Sequence, residues 1–199
     1  MSVLKVDLDG SKLEQWATVL STRGLRAAIR RAIDRSATAA RKVALKVIAQ
    51  DIGAPVARIK PGVTKLRRTT QSDLTASFSA NKLRIGILNT SGAKLGTGGL
   101  TASTHRVTGG GSSSLKIKSA FLVHANGGTF VAFRTSRSRL PLKGVYAEHP
   151  GTALGQPGAA AQVAWQQEAE KQLAERMPQE IQKQLLAEGL PYTAPPDND

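Results

Sequence analysis

From Leu25 to Ile48 apolar residues recur at helical spacing: Leu25, Ala28, Ile29, Ala32, Ile33, Ala37, Ala40, Ala44, Val47 and Ile48. The i, i+3, i+4, i+7 rhythm predicts an amphipathic helix over residues 24–53, roughly 40 Å long if unbroken from Gly24 to Gln50. Half of that stripe is alanine, which lets a neighbouring helix or sheet approach closely. The opposite face carries Arg26, Arg30, Arg31, Arg35, Arg41, Lys42 and Lys46, and Gly53 and Pro55 stop the helix. A long element with one narrow apolar stripe and one cationic face needs a second element on the first and water or anions on the second.

Further along, the periodicity changes. Leu74–Ala80 and Lys82–Leu88 alternate apolar and polar residues and read as two strands turned at Asn81. Residues 89–114 hold seven glycines and ten Ser or Thr among 26 residues, and a long flexible loop is expected there. Ala120–Ala125 and Thr129–Arg134 flank Asn126-Gly127-Gly128, a hairpin pattern. After a Pro/Gly-rich joint, Val163, Ala164, Trp165, Leu173, Met177, Ile181, Leu185 and Leu186 outline one long helix within residues 151–190. Pro178 is expected to kink or divide it. Residues 1–23 alternate at first and then take helical spacing (Leu13, Trp16, Ala17, Leu20), so an arm with a short helix is expected. The tail 191–199 reads as disordered.

The fold class that follows is α+β: an antiparallel sheet of about four strands within residues 69–150, packed by a long N-terminal helix and a C-terminal helix. The whole reads as a single domain with arms. With aromatics at only 4%, its core must come from Ala, Val, Ile and Leu. Such a core is thin, and burial against neighbouring subunits would add to it.

The net charge of +14 is unevenly placed. Residues 23–68 hold thirteen Lys or Arg against two acids, whereas residues 151–199 hold seven acids against three basic residues. Opposite charge on two parts of one chain suits head-to-tail pairing of copies, or a place beside nucleic acid. The candidate interface or DNA-facing residues are therefore Arg26, Arg30, Arg31, Arg35, Arg41, Lys42, Lys46, Arg134, Arg137 and Arg139. The acidic interface candidates are Glu168, Glu170 and Glu175.

Little points to catalysis. The three histidines, His105, His124 and His149, match no metal spacing, and without cysteine there is neither a disulfide nor a thiolate site. The glycine runs Gly96–Gly99 and Thr108–Gly111 lack the strand–loop–helix setting of a phosphate cradle. The acids Glu168, Glu170, Glu175 and Glu180 lie among Lys and Gln and read as a solvated helix face. No catalytic, cofactor or metal residue is expected. No leader pattern opens the chain and no apolar run approaches the roughly 18 residues of a membrane span, so a soluble chain without membrane contact is expected.

The order of these parts carries a resemblance. The basic alanine-rich helix RAAIRRAIDRSATAARKVALKVIA leads to strands and a glycine-serine tract. Then come SAFLVHANGGTFVAFRTSRSRLPL and the Glu/Gln helix AEKQLAERMPQEIQKQLL. Over residues 20–187 this is similar to the minor tail protein Z family of long-tailed phages and prophages. The resemblance implies a non-enzymatic virion protein at the head-proximal end of the tail, assembled in the host cytoplasm. It would be needed for tail completion and head–tail joining as a hexameric ring. Its partners would be the tail tube, the terminator or head-completion (neck) proteins, and DNA passing through the channel. Two alternatives stay open: a tail terminator capping the tube, and a sequence-independent basic nucleic-acid-binding protein.

Overall fold

The computed structural model describes residues 22–105, 112–125, 128–155 and 158–190. The N-terminal arm, the Asn126-Gly127 turn, the Pro157 joint and the tail 191–199 lie outside the described residues. The chain divides into two compact units. Among the described residues one comprises Ala44–Thr64 and Ser79–Val163, and the other Thr22–Val43, Lys65–Phe78 and Ala164–Leu190.

The helix expected over residues 24–53 forms as α1, Thr22–Ile52, and runs from one unit into the other. Its end is a Schellman motif. Gly53 takes φ 69°, its N–H donates to Gln50 O (3.1 Å), and Ala54 N–H donates to Ala49 O (3.0 Å). Two orphan carbonyls are thereby satisfied at a backbone angle that glycine adopts without strain.

In the helical unit, α1 packs on α4, Ala160–Ala187. Ala28, Ile29 and Ala32 meet Leu173, Met177, Ile181 and Leu185, with Leu25, Ile33 and Leu190 at the margin. Ala28 and Ala32 are fully buried, so the small residues bring the two backbones together as the stripe predicts. Pro178 does not divide α4, which runs 28 residues through it. The proline removes one hydrogen bond to the carbonyl of Ala174, and the packed Met177 and Ile181 on either side hold the helix there. A second Schellman end at Gly189 (φ 71°) brings Leu190 back onto the Leu185 cluster.

The other unit holds the strands and the short helices α2 (Val56–Ile59) and α3 (Pro150–Gly155). Seven strands occur among the described residues: β1 Ile85–Gly86, β2 Lys94–Gly96, β3 Gly99–His105, β4 Ser112–Ile117, β5 Phe121–Ala125, β6 Gly128–Arg134 and β7 Leu142–Ala147. They form an antiparallel four-stranded sheet of order β1-β7-β6-β5 and a three-stranded sheet of order β2-β3-β4. One core serves both: Ile87 with Leu100 and Ala102 of β3, Val131 of β6 and Val145 of β7.

The expected α+β class, the two long helices and the four-stranded antiparallel sheet are therefore present, but four local expectations are corrected. Leu74–Ala80 is not a strand. Only isolated bridges occur, Arg67↔Ser77 and Val63↔Ala80, and both partners lie upstream. Lys82–Leu88 yields only the two-residue β1 and then a 3-10 turn at Ile87–Asn89. Asn81 does not make the expected hairpin. Its N–H goes to Gly62 O, its side-chain oxygen accepts Leu83 N–H and its carbonyl accepts Gly151 N–H.

The expected loop at 89–114 contains β2, β3 and the start of β4, with residues 106–111 outside the described part. Leu100 and Ala102 alternate there with exposed Thr101 and Ser103, a period of two hidden under a polar composition.

Candidate functional site

The cationic face of α1 is largely engaged within its own unit. Arg26 Nη1 donates to Gln71 O (3.0 Å) and Arg30 Nη2 to Thr69 O (3.4 Å). Between them Asp34 Oδ1 accepts both Thr69 N–H (2.9 Å) and the Thr69 hydroxyl (3.1 Å). These bonds pin residues 69–71 along the helix, a use of the arginines that composition alone could not show.

Arg31 and Arg35, one turn apart, converge on Glu180 of α4. Arg31 Nε lies 2.9 Å from Glu180 Oε2, and its Nη2 donates to Gln184 Oε1 at 2.7 Å. Arg35 Nη1 bonds the other carboxylate oxygen, and Lys183 Nζ stands 3.5 Å away. The Glu180 side chain is only 3% exposed, against 41% for Arg31 and 52% for Arg35. Burial pushes its carboxyl up. The Arg31 hydrogen bond and the charges of Arg35, Lys183 and Arg31 outweigh that and hold it below the usual carboxylate range.

The reading of Glu180 as part of a solvated acidic face is therefore corrected. Its position was legible, because Leu173, Met177 and Glu180 fall on one helical stripe at i, i+4 and i+7. A carboxylate on an apolar stripe needs a charged or hydrogen-bonding partner when buried, and Arg31 and Arg35, four residues apart on the facing helix, supply it.

One carboxylate among three cations leaves positive charge over, and it borders a cleft of about 550 Å³ lined by Arg31, Asp34, Arg35, Thr38, Lys42 and Arg68. Arg176 adds a further cation, its Nε held by Gln172 Oε1 at 2.8 Å. Five cations against one lining acid, with Glu180 beside them, leave the cleft lining net positive. Because buried Glu180 fixes two of the guanidinium groups, they meet an anion with less rotamer freedom left to lose. Arg68 and Arg176 belong to this site and were not among the predicted residues.

Elsewhere the candidates are scattered. Arg41 lies over the Phe78 ring (5.9 Å), and Phe78 meets Trp165 edge to face at 4.8 Å. Lys46 lies in the strand-bearing unit, beside a hollow lined by Ala49, Pro55, Val56 and Thr90. Arg134 stacks over Phe121 at 5.0 Å, while Arg137 and Arg139 are exposed in the β6–β7 connection. Of the acidic candidates, Glu175 is exposed, Glu170 is exposed and accepts from Gln166 (3.1 Å), and Glu168 is half-buried.

His124 contacts the Thr129 hydroxyl (3.0 Å) and His149 bonds Thr152, both structural uses. Among the described residues no group of three His, Asp or Glu could hold a metal, and no helix is long and apolar enough to cross a membrane.

The family model for prophage minor tail protein Z (GPZ) matches residues 18–189. No curated protein and no solved structure matches the chain.

Proposed function

Because the chain belongs to the prophage minor tail protein Z family, structural proteins of the phage tail, we propose that it completes the head-proximal end of a long tail and takes part in joining that tail to the filled head. The observation that carries this role is the family match over residues 18–189, which takes in α1, both sheets and α4 together.

The charge distribution supports assembly in a ring. The Arg31–Arg35–Lys42–Arg68 cleft offers cations beyond those Glu180 neutralises, and Glu170 and Glu175 are exposed on the same chain. Different, complementary patches make a head-to-tail contact, and such contacts close into rings when the rotation permits. Six copies would match the symmetry of a tail, with the Glu170–Glu175 face of one copy against the cationic cleft of the next. The tail tube and the neck proteins are the further partners of this ring.

An in vitro joining assay tests the role. Tails assembled without the protein should have normal length and fail to join filled heads, and adding the purified chain should restore infectious particles. Overlong tubes in its absence would instead assign it the terminator's work. Normal joining without it would end the proposal. DNA contact is read separately. A phosphate-binding cleft predicts affinity for random duplex that falls steeply with salt, whereas an acid-binding cleft does not.

A further inference from the structure

Two edge strands each carry an exposed leucine on the core-facing side of their sheet. β3 and β4 pair with Ala102 opposite Leu115, and β5 and β6 pair with Leu122 opposite Val131, so each leucine shares the face of a core residue. Burial falls off sharply across each pair: Ala102 is 5% exposed and Leu115 40%, Val131 1% and Leu122 45%. Both leucines sit on the outermost strand of their sheet, and the turn at residues 118–120 joins those two strands. Among the described residues β5 has no neighbour beyond β6, so its outer backbone groups lack strand partners.

Edge strands normally carry lysine or proline, or are very short, to prevent further pairing. β4 has Lys116, and β1 is only two residues long. The sequence of β5, FLVHA, has none of these guards. Its exposed leucine and bare edge suit one kind of ligand, an extended segment with alternating apolar side chains.

This chain contains such a segment outside the described residues. In VLKVDL, residues 3–8, Leu4, Val6 and Leu8 fall on one side and Val3, Lys5 and Asp7 on the other. Residues 9–21 lie between it and α1; with the short helix expected over residues 11–20 and the rest extended, they would span roughly 25 Å. We propose that residues 3–8 of one copy add as a strand to the β5 edge of a second copy, with Leu4, Val6 and Leu8 covering Leu122. The second copy as donor rests on the ring reading above. Donor and acceptor are different surfaces, so the contact runs head to tail.

The chain has no cysteine, so single cysteines report this contact cleanly. Full-length Val6→Cys and His124→Cys variants, mixed and mildly oxidised in assembled tails, should form mainly mixed dimers, since His124 shares the face of Leu122 on β5. Leu8→Cys in place of Val6→Cys covers a shift in register. Adding Leu122→Lys to the acceptor should cut the mixed dimer at least tenfold while leaving the circular dichroism spectrum unchanged.

The proposal is overturned if no mixed dimer forms with either donor. It is overturned equally if a Val6→Cys/His124→Cys double variant closes only within one chain, or if the arm crosslinks to Ser114→Cys of β4 instead. Joining activity is measured on the same samples. Tails that join heads without the crosslink would sink strand addition and leave the tail role standing, and a crosslinked ring that never joins heads would do the reverse.

Discussion

Replacing Glu180 by alanine removes the carboxylate that, among the described residues, is ion-paired with Arg31 and Arg35, and the cost can be worked out from their exposure. Breaking a fully buried ion pair from one side costs about 3–5 kcal/mol, because the surviving charge is left unsolvated. Here the carboxylate is buried, but both guanidinium groups are about half exposed and regain water when released. An effect of about 2–3 kcal/mol is expected at neutral pH. For a chain of 199 residues that corresponds to a fall in Tm of roughly 4–12 °C.

The pH dependence gives a second handle. The Glu180 carboxyl is held below its ordinary range in the folded state and returns to about 4.3 when unfolded. Its contribution is therefore fully present above about pH 4.3 and is lost as pH falls through the depressed folded value. Thermal melts of wild type and Glu180→Gln across pH 3–7 should be widely separated at neutral pH and converge toward acid. Parallel curves, or a Gln variant as stable as wild type at pH 7, would show that Glu180 does not anchor the two arginines.

Other substitutions probe separate parts of the structure. Ala32→Leu, at a fully buried contact of α1 with α4, should cost about 1–3 kcal/mol by overpacking, read from denaturant midpoints. Gly53→Ala forces a side chain into φ 69° at the end of α1 and should cost about 1 kcal/mol, whereas Gly155→Ala, with open space around it, should be near neutral. Asp34→Ala strips the acceptor from buried Thr69 and should destabilise by about 1–2 kcal/mol, with faster proteolysis of residues 65–78 as the local readout. Lys42→Glu with Arg68→Glu reverses charge in the cleft without touching a described bond. It should leave Tm within a few degrees and abolish ring assembly in light scattering.

The helices were legible because their signals are local. The α1 stripe, its Gly53–Pro55 end and the α4 stripe are patterns within single segments, and the Asn126–Gly128 turn marked β5 and β6 in the same way. Where partners lay far away in sequence, legibility failed. β3 exists because Leu100 and Ala102 enter a core shared with Val131 and Val145. Its own composition, rich in glycine and threonine, argued for loop, whereas β1 is the short remnant, paired with β7, of a segment read as a longer strand. Leu74–Ala80 had the alternation of a strand but no continuous partner.

The same distinction runs through the site. The basic face was visible as a list of charges. Which of those charges bind residues 69–71, which bind Glu180 and which remain for an anion depends on the packing of α1 against α4 and the 65–78 segment. The one local clue left unused was a glutamate on the apolar stripe of α4.

Whether these contacts serve a tail can be seen by cryo-electron microscopy of the complete particle, with the chain's fold fitted to the neck. A sixfold ring at the head-proximal end of the tube, containing the paired α1 and α4 helices, is the predicted result. A particle that joins head to tail without density for this chain would contradict it.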